Sequence, residues 1–136
     1  MIQDHRYPAG VELFRARQFF EAHEELELAW RACPAGPDKQ FLQGLIQLAV
    51  SLEHWRRGNP RGAMGQWEKG RAKMLGLPEV NHGVRLGALL RAFEDYYARW
   101  NLALCVLAQA EGTFTRPTAI GPMPLPEWEG GPPEGP

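Results

Sequence analysis

The chain has 136 residues, a formal net charge of −1 and two cysteines. That length suits one domain that buries roughly two thirds of its unfolded surface, so neither a metal nor a disulfide is needed for folding. The balanced charge argues against nucleic-acid or membrane binding through total charge, and two cysteines make no disulfide scaffold. The N-terminus, MIQDHRYPAG, has no apolar signal core, and no apolar run approaches the ~20 residues of a membrane span. These features predict a soluble, cytoplasmic protein with no membrane partner.

Residues 1–7 read as a frayed end. Gly10–Arg17 forms a short first helix, with Pro8 at its start and Val11, Leu13 and Phe14 as apolar contacts. Phe19–Ala32 forms the second. Its inner face carries Phe19, Ala22, Leu26, Ala29 and Trp30, and its outer face Glu21, Glu24 and Glu25. Arg15–Gln18 holds neither Gly nor Pro, so one continuous helix and two separate helices stand as alternatives there. Pro34-Ala35-Gly36-Pro37 stops the second helix, and Asp38 is placed to cap the third.

The third stretch, Phe41–Trp55, is apolar round most of a helical circumference, which marks the central helix of an α-helical domain. The remaining arc, about 80° wide, holds Gln40, Gln43, Gln47, Ser51 and His54. A water-facing stripe normally uses Lys and Glu, so this one reads as half-buried. Gly58-Asn59-Pro60 then supplies a left-handed stop, an N-cap and a first-turn proline. Such a short turn makes helices three and four an antiparallel hairpin. The fourth helix, Pro60–Leu75, contains Gly62, Gly65 and Gly70. Each costs about 1 kcal/mol relative to Ala, with close approach of a neighbour as the expected return.

After the loop 79–83, apolar residues recur at three- and four-residue steps from Val84 towards Gly112. This predicts a long fifth helix with a bend at Asn101. Tyr96, Tyr97 and Trp100 finish the core, while Leu104–Leu107 overhangs it and points to a homodimer through this helix or to packing of the tail. Thr113–Pro136 contains seven of the twelve prolines and no helical period, so it should be extended or disordered. Within it only Thr113–Thr115 offers an edge strand. The predicted fold is all-α: an irregular bundle of about five helices over residues 1–112, followed by a Pro/Gly-rich tail over residues 113–136.

Three constellations bear on function. His23 and Glu27 lie one turn apart beside Glu24, at an edge of helix two where they can face Gln43, Gln47 and His54. Two imidazoles and a carboxylate, His23, Glu27 and His54, form a ligand set suited to zinc or iron, with Glu24 as base for a hydrolytic reaction. The set lacks the Glu-x-x-His and His-Glu-x-x-His spacings, and Glu27 has an ordinary partner in Arg31. A hydrogen-bonded polar seam that needs no cofactor is therefore preferred. The basic run Arg56, Arg57, Arg61, Lys69, Arg71 and Lys73 reads as a solvated face rather than a nucleic-acid site, since it lacks the aromatic–basic interleaving of the single-strand-binding sort. No phosphate loop, dinucleotide fingerprint, nucleophile elbow or Cys-x-x-Cys is present.

Two motifs, FEAHEELELAW at Phe20–Trp30 and FLQGLIQLAVSLEHWRRGNPRGA at Phe41–Ala63, resemble the domain-of-unknown-function 309 family of bacteria and archaea. The resemblance covers about residues 10–75. It implies a small all-α fold and no established activity. The family pattern carries over at His23, Glu24 and Glu27, at Gln43, Gly44 and Gln47, and at His54, Gly58, Asn59, Gly62 and Ala63. It departs at Arg15-Ala16-Arg17, where the family has an Asn-x-Gly break. The expected function is a binding or protein-interaction module for a protein or small molecule. The alternative is a metal-dependent hydrolase.

Overall fold

Pro37–Arg56 is the longest helix and the centre of the molecule. A computed structural model describes residues 2–133; Met1 and residues 134–136 of the tail lie outside them. In chain order the helices are α1 (Arg6–Arg15), α2 (Phe19–Ala32), α3 (Pro37–Arg56), α4 (Pro60–Met74), α5 (Leu86–Arg99) and α6 (Leu102–Ala110). Two short strands, β1 (Val80–Asn81) and β2 (Val84–Arg85), precede α5. The fold is all-α and irregular, with six helices among the described residues. None of them is long and apolar enough to cross a membrane.

The apolar sequence of α3 explains its position. Phe41, Leu42, Leu45, Leu48, Ala49 and Leu52 are fully buried and Trp55 nearly so. The helix packs against α2 on one side and α4 on the other. Its N-cap is Gly36 with Pro37 in the first turn, so Asp38 does not cap it. Asp38 instead meets His82 Nε2 of the β1–β2 turn at 2.7 Å.

Tyr7 opens the chain's core rather than a frayed end. It is 1% exposed, belongs to α1, and donates its hydroxyl to the His82 carbonyl at 2.6 Å. α1 and α2 are separate helices. Arg17 adopts a left-handed φ of 63°, Gln18 N–H bonds the Leu13 carbonyl and Arg17 N–H bonds the Phe14 carbonyl. This is the paired closure that glycine usually makes at a helix end, here made by arginine. The same closure ends α3 at Gly58 (φ 81°), as its sequence predicts, with Asn59 N–H on the His54 carbonyl.

Close approach explains two of the three α4 glycines. A Cβ on Gly70 would stand 2.9 Å from Leu48 Cδ2 and 3.2 Å from the Gly44 carbonyl. One on Gly62 would stand 2.7 Å from the His54 ring. Gly65 differs: no neighbour lies within 4 Å of its missing Cβ, so the expected return is absent there.

The expected fifth helix is two. Asn101 takes a left-handed φ of 50°, a conformation asparagine tolerates better than most residues, and the chain restarts as α6. Residues 113–115 form no strand. The tail is extended, but it is not loose. Met123 and Trp128 are 7% and 6% exposed. Arg85 N–H bonds the Glu127 carbonyl and Glu129 N–H bonds the Gly83 carbonyl, so the tail adds a bridge to the small hairpin.

Candidate functional site

The α2–α3 junction holds a groove of about 240 Å³. The double Phe at the start of α2 shapes it, because consecutive helical residues point about 100° apart. Phe19 goes into the core, and Phe20 is left 49% exposed at the groove edge. Val50 of α3 lines the wall with them, and His23, Glu53, His54 and Arg57 supply the polar groups.

Those polar groups already have partners. His23 Nε2 lies 3.0 Å from Glu27 Oε2, and Glu27 Oε1 accepts from Arg31 at 2.6 Å, so both contacts run along α2. Glu53 sits between Arg56 at 2.9 Å and Arg57 at 2.7 Å. Burial pushes its carboxyl pKa up, but hydrogen bonds and charge from the two arginines outweigh this and leave it below the ordinary value. Glu53 is therefore an ionised, structurally engaged carboxylate.

His54 belongs to a second network. Asn59 caps α4 as its sequence predicts: its Oδ1 accepts from Gly62 N–H at 3.0 Å. The same oxygen accepts from Gln109 Nε2 at 3.0 Å, and Gln109 Oε1 accepts from Arg61 N–H at 2.8 Å. With Oδ1 committed to the cap, Asn59 Nδ2 is the atom that faces His54 Nδ1, at 3.1 Å. Nδ1 must then accept, which puts the proton of the neutral imidazole on Nε2. Gln109 escapes a reading of the sequence because it lies 50 positions from Asn59.

The other expected site residues are placed differently. Glu24 is exposed beside a neighbouring depression that includes Leu28 and Arg31. Gln43 and Gln47 are half-buried, and Gln47 Oε1 has no hydrogen-bond partner. Ser51 and Gln40, from the same uncharged arc, bond to α4: Ser51 Oγ donates to the Ala63 carbonyl at 2.6 Å and Gln40 to the Lys73 carbonyl at 2.7 Å. Much of the arc thus secures α3 to α4 rather than facing α2. His23 and His54 do share the groove. Among the described residues, however, no three His, Cys, Asp or Glu side chains converge in a way that would hold a metal ion. His23, Glu27 and His54 are therefore not assembled as a coordination set.

These features define a small all-α domain with a groove between its second and third helices. Residues 7–66, from α1 through the first half of α4, match the family model described as "Domain of unknown function (DUF309)". The chain is 47% identical over 53 residues to "Uncharacterized protein YpuF" of Bacillus subtilis (strain 168), covering 39% of this chain and 30% of that protein. It is 29% identical over 77 residues to an "Uncharacterized protein" of Aquifex aeolicus (strain VF5), covering 57% of this chain and 23% of that one. The chain thus spans less than a third of either relative's length.

Proposed function

We propose that the chain is a cytoplasmic binding or protein-interaction module, non-enzymatic, whose contact is the α2–α3 groove. One observation carries this reading. Phe20 stands half-exposed over an apolar wall, inside a rim whose acids and bases are already bonded to one another. Catalysis needs a nucleophile or a base free to reach a reactant. Here Glu53 is held by two arginines and His54 Nδ1 by Asn59, and although His23, tied to Glu27 through Nε2, keeps Nδ1 free, no Ser, Thr, Cys or Lys side chain lines the groove as a nucleophile.

Besides His23 Nδ1, what the rim leaves over is donors. They are His54 Nε2–H and the guanidinium N–H groups of Arg57 beyond the Nε that meets Glu53. An apolar group beside a hydrogen-bond acceptor, carried by a protein or a small molecule, suits that combination. A stretch that recurs inside longer relatives is also what a module would look like. In this reading His23 and His54 touch the ligand, Glu27 orients His23, and Gln43 and Gln47 belong to the helix packing. The metal-dependent hydrolase with Glu24 as base is not favoured, because its three ligands do not converge.

The test is a nitrogen-labelled NMR titration with a panel of aryl carboxylates and short apolar peptides, with chelator present. Saturable shifts at Phe20, His23 and His54, lost in Phe20→Ser, are expected. Shifts confined to other surfaces, or groove shifts that appear only with added metal, would overturn the proposal.

A further inference from the structure

α6, LALCVLAQA, contains no charged residue, yet it is the least buried of the apolar helices. Leu102 is its one buried residue. Leu104 and Leu107, one turn apart, are each 58% exposed, and Ala103 and Ala110 lie exposed on the same outward arc. The tail does not cover this face. It leaves α6 through Phe114, which packs on Trp55, and runs on to Ile120, whose carbonyl accepts from Tyr96, and to Trp128 at α1. A soluble chain rarely leaves its most apolar helix outermost without a use for it.

Two further features say what covers it. Asn101, at the N-terminus of α6, makes no side-chain cap, so the first N–H groups of the helix are left without one. Glu111, at the other end, falls on the same arc as Leu104 and Leu107 at 100° per residue, is exposed, and is in no ion pair among the described residues. The face therefore has an anion at one end and, at the other, an uncapped helix start that shares a depression with Arg71, Glu68 and Glu94. Laid antiparallel on a copy of itself, it matches leucines to leucines and sets each Glu111 against the partner's helix start. A parallel pairing would instead bring the two Glu111 side chains together.

We infer that α6 is a self-association face that takes a second copy of this chain in an antiparallel, two-fold arrangement. The contact is isologous, so it closes at a dimer. One nine-residue helix offers a small interface, and the dimer should be weak, in the micromolar to millimolar range. The inference does not depend on the α2–α3 groove, which lies on other helices.

Sedimentation equilibrium of the full chain across that concentration range tests it. The expected result is a mass rising towards twice that of the chain. Leu104→Lys with Leu107→Lys should remain monomeric with an unchanged helical circular dichroism spectrum. Glu111→Lys should weaken dimerisation by roughly fivefold or more, as expected for losing a charge at a helix N-terminus. Because Glu111 is exposed, this variant remains informative if the double variant fails to fold. A wild-type mass that stays monomeric throughout would overturn the inference, as would a dimer that survives either substitution unweakened.

Discussion

Trp128 donates its indole N–H to Glu12 Oε1 at 2.7 Å, joining residues 116 positions apart. Its ring also meets Tyr7 edge-on at 5.9 Å, so the tail is pinned to the first helix at two points. The composition of the tail predicts that deleting residues 121–136 leaves the melting temperature nearly unchanged. The structure reverses that expectation.

Trp128→Ala removes a nearly buried indole and leaves a cavity, which typically costs about 3 kcal/mol or somewhat more. Trp128→Phe keeps an aromatic ring but loses the bond to Glu12 and some buried volume, for about 1–2 kcal/mol. Urea unfolding of both variants and of the truncation at Gly121 measures this. Wild-type midpoints in all three would mean that the strap contributes nothing.

The contrast between the ends of α3 and the tail shows what kind of information a sequence carries. Gly58-Asn59-Pro60 is legible because stop, cap and restart are each set by one residue's own backbone or side chain. The end of α2 at Ala32 is legible for the same reason, with Pro34 two residues on, whereas Gln18 makes no side-chain cap at its start. Arg17 holds a left-handed conformation that arginine does not favour and Asn101 one that asparagine tolerates without requiring, so the α1–α2 turn stands open in the sequence and Asn101 reads only as a bend. Tyr7 and Trp128 are partners across the whole chain, and nothing local announces that. A lone Trp in a Pro-rich tail is the one hint, since a large aromatic ring is costly to leave in water. The groove was half-visible: His23 and His54 could be paired from helical arcs, whereas the Asn59–Gln109 contact that orients His54 is set by how α6 lies on α4.

The Asn59 side chain serves the α4 cap, His54 and Gln109 at once. Asn59→Ala should therefore cost more than a simple cap, about 2 kcal/mol rather than about 1. Asn59→Asp keeps the cap oxygen but removes the donor to His54. Nitrogen NMR of the histidine ring should report the Nε2–H tautomer in the wild type and its loss in Asn59→Asp. A wild-type imidazole protonated on Nδ1 would contradict the network.

Ser51 is fully buried, donating to the Ala63 carbonyl and lying 2.7 Å from the Tyr97 hydroxyl. Ser51→Ala leaves both without that partner and should cost about 1–3 kcal/mol, a large effect for the loss of one oxygen. Ser51→Ala combined with Tyr97→Phe should recover part of it, because the second orphan is then removed. A double variant as unstable as the sum of the singles would show that the two hydroxyls are not coupled.

All three tyrosines, Tyr7, Tyr96 and Tyr97, have phenol pKa values raised by burial. The unfolded chain ionises near pH 10 and the folded one above it, so the unfolded state sheds its protons first. The stability these phenols support is complete below pH 10 and is lost as pH rises beyond it. Ultraviolet titration should show less phenolate in the folded protein at pH 10 than in the unfolded chain, then a cooperative rise with unfolding. At the acid end, the hydrogen bond from Arg6 holds Asp4 at about 2 against 3.8, so its small contribution is present above pH 4 and fades as pH falls to about 2. A normal tyrosine titration with the helical signal intact would refute the burial of all three.

In the proposed function, His23, Glu27 and His54 serve packing and ligand contact rather than a metal. The direct measurement is thermal unfolding of wild type, His23→Ala and His54→Ala with zinc, manganese or ferrous iron, set against chelator. A metal that binds only the folded state must raise its stability, by an amount that grows with free metal. The wild-type melting temperature should be the same in every condition. His54→Ala should be less stable by about 1 kcal/mol whether or not metal is present. A metal-specific rise in the wild type, abolished in both histidine variants and matched by stoichiometric metal in the purified protein, would contradict the proposed function.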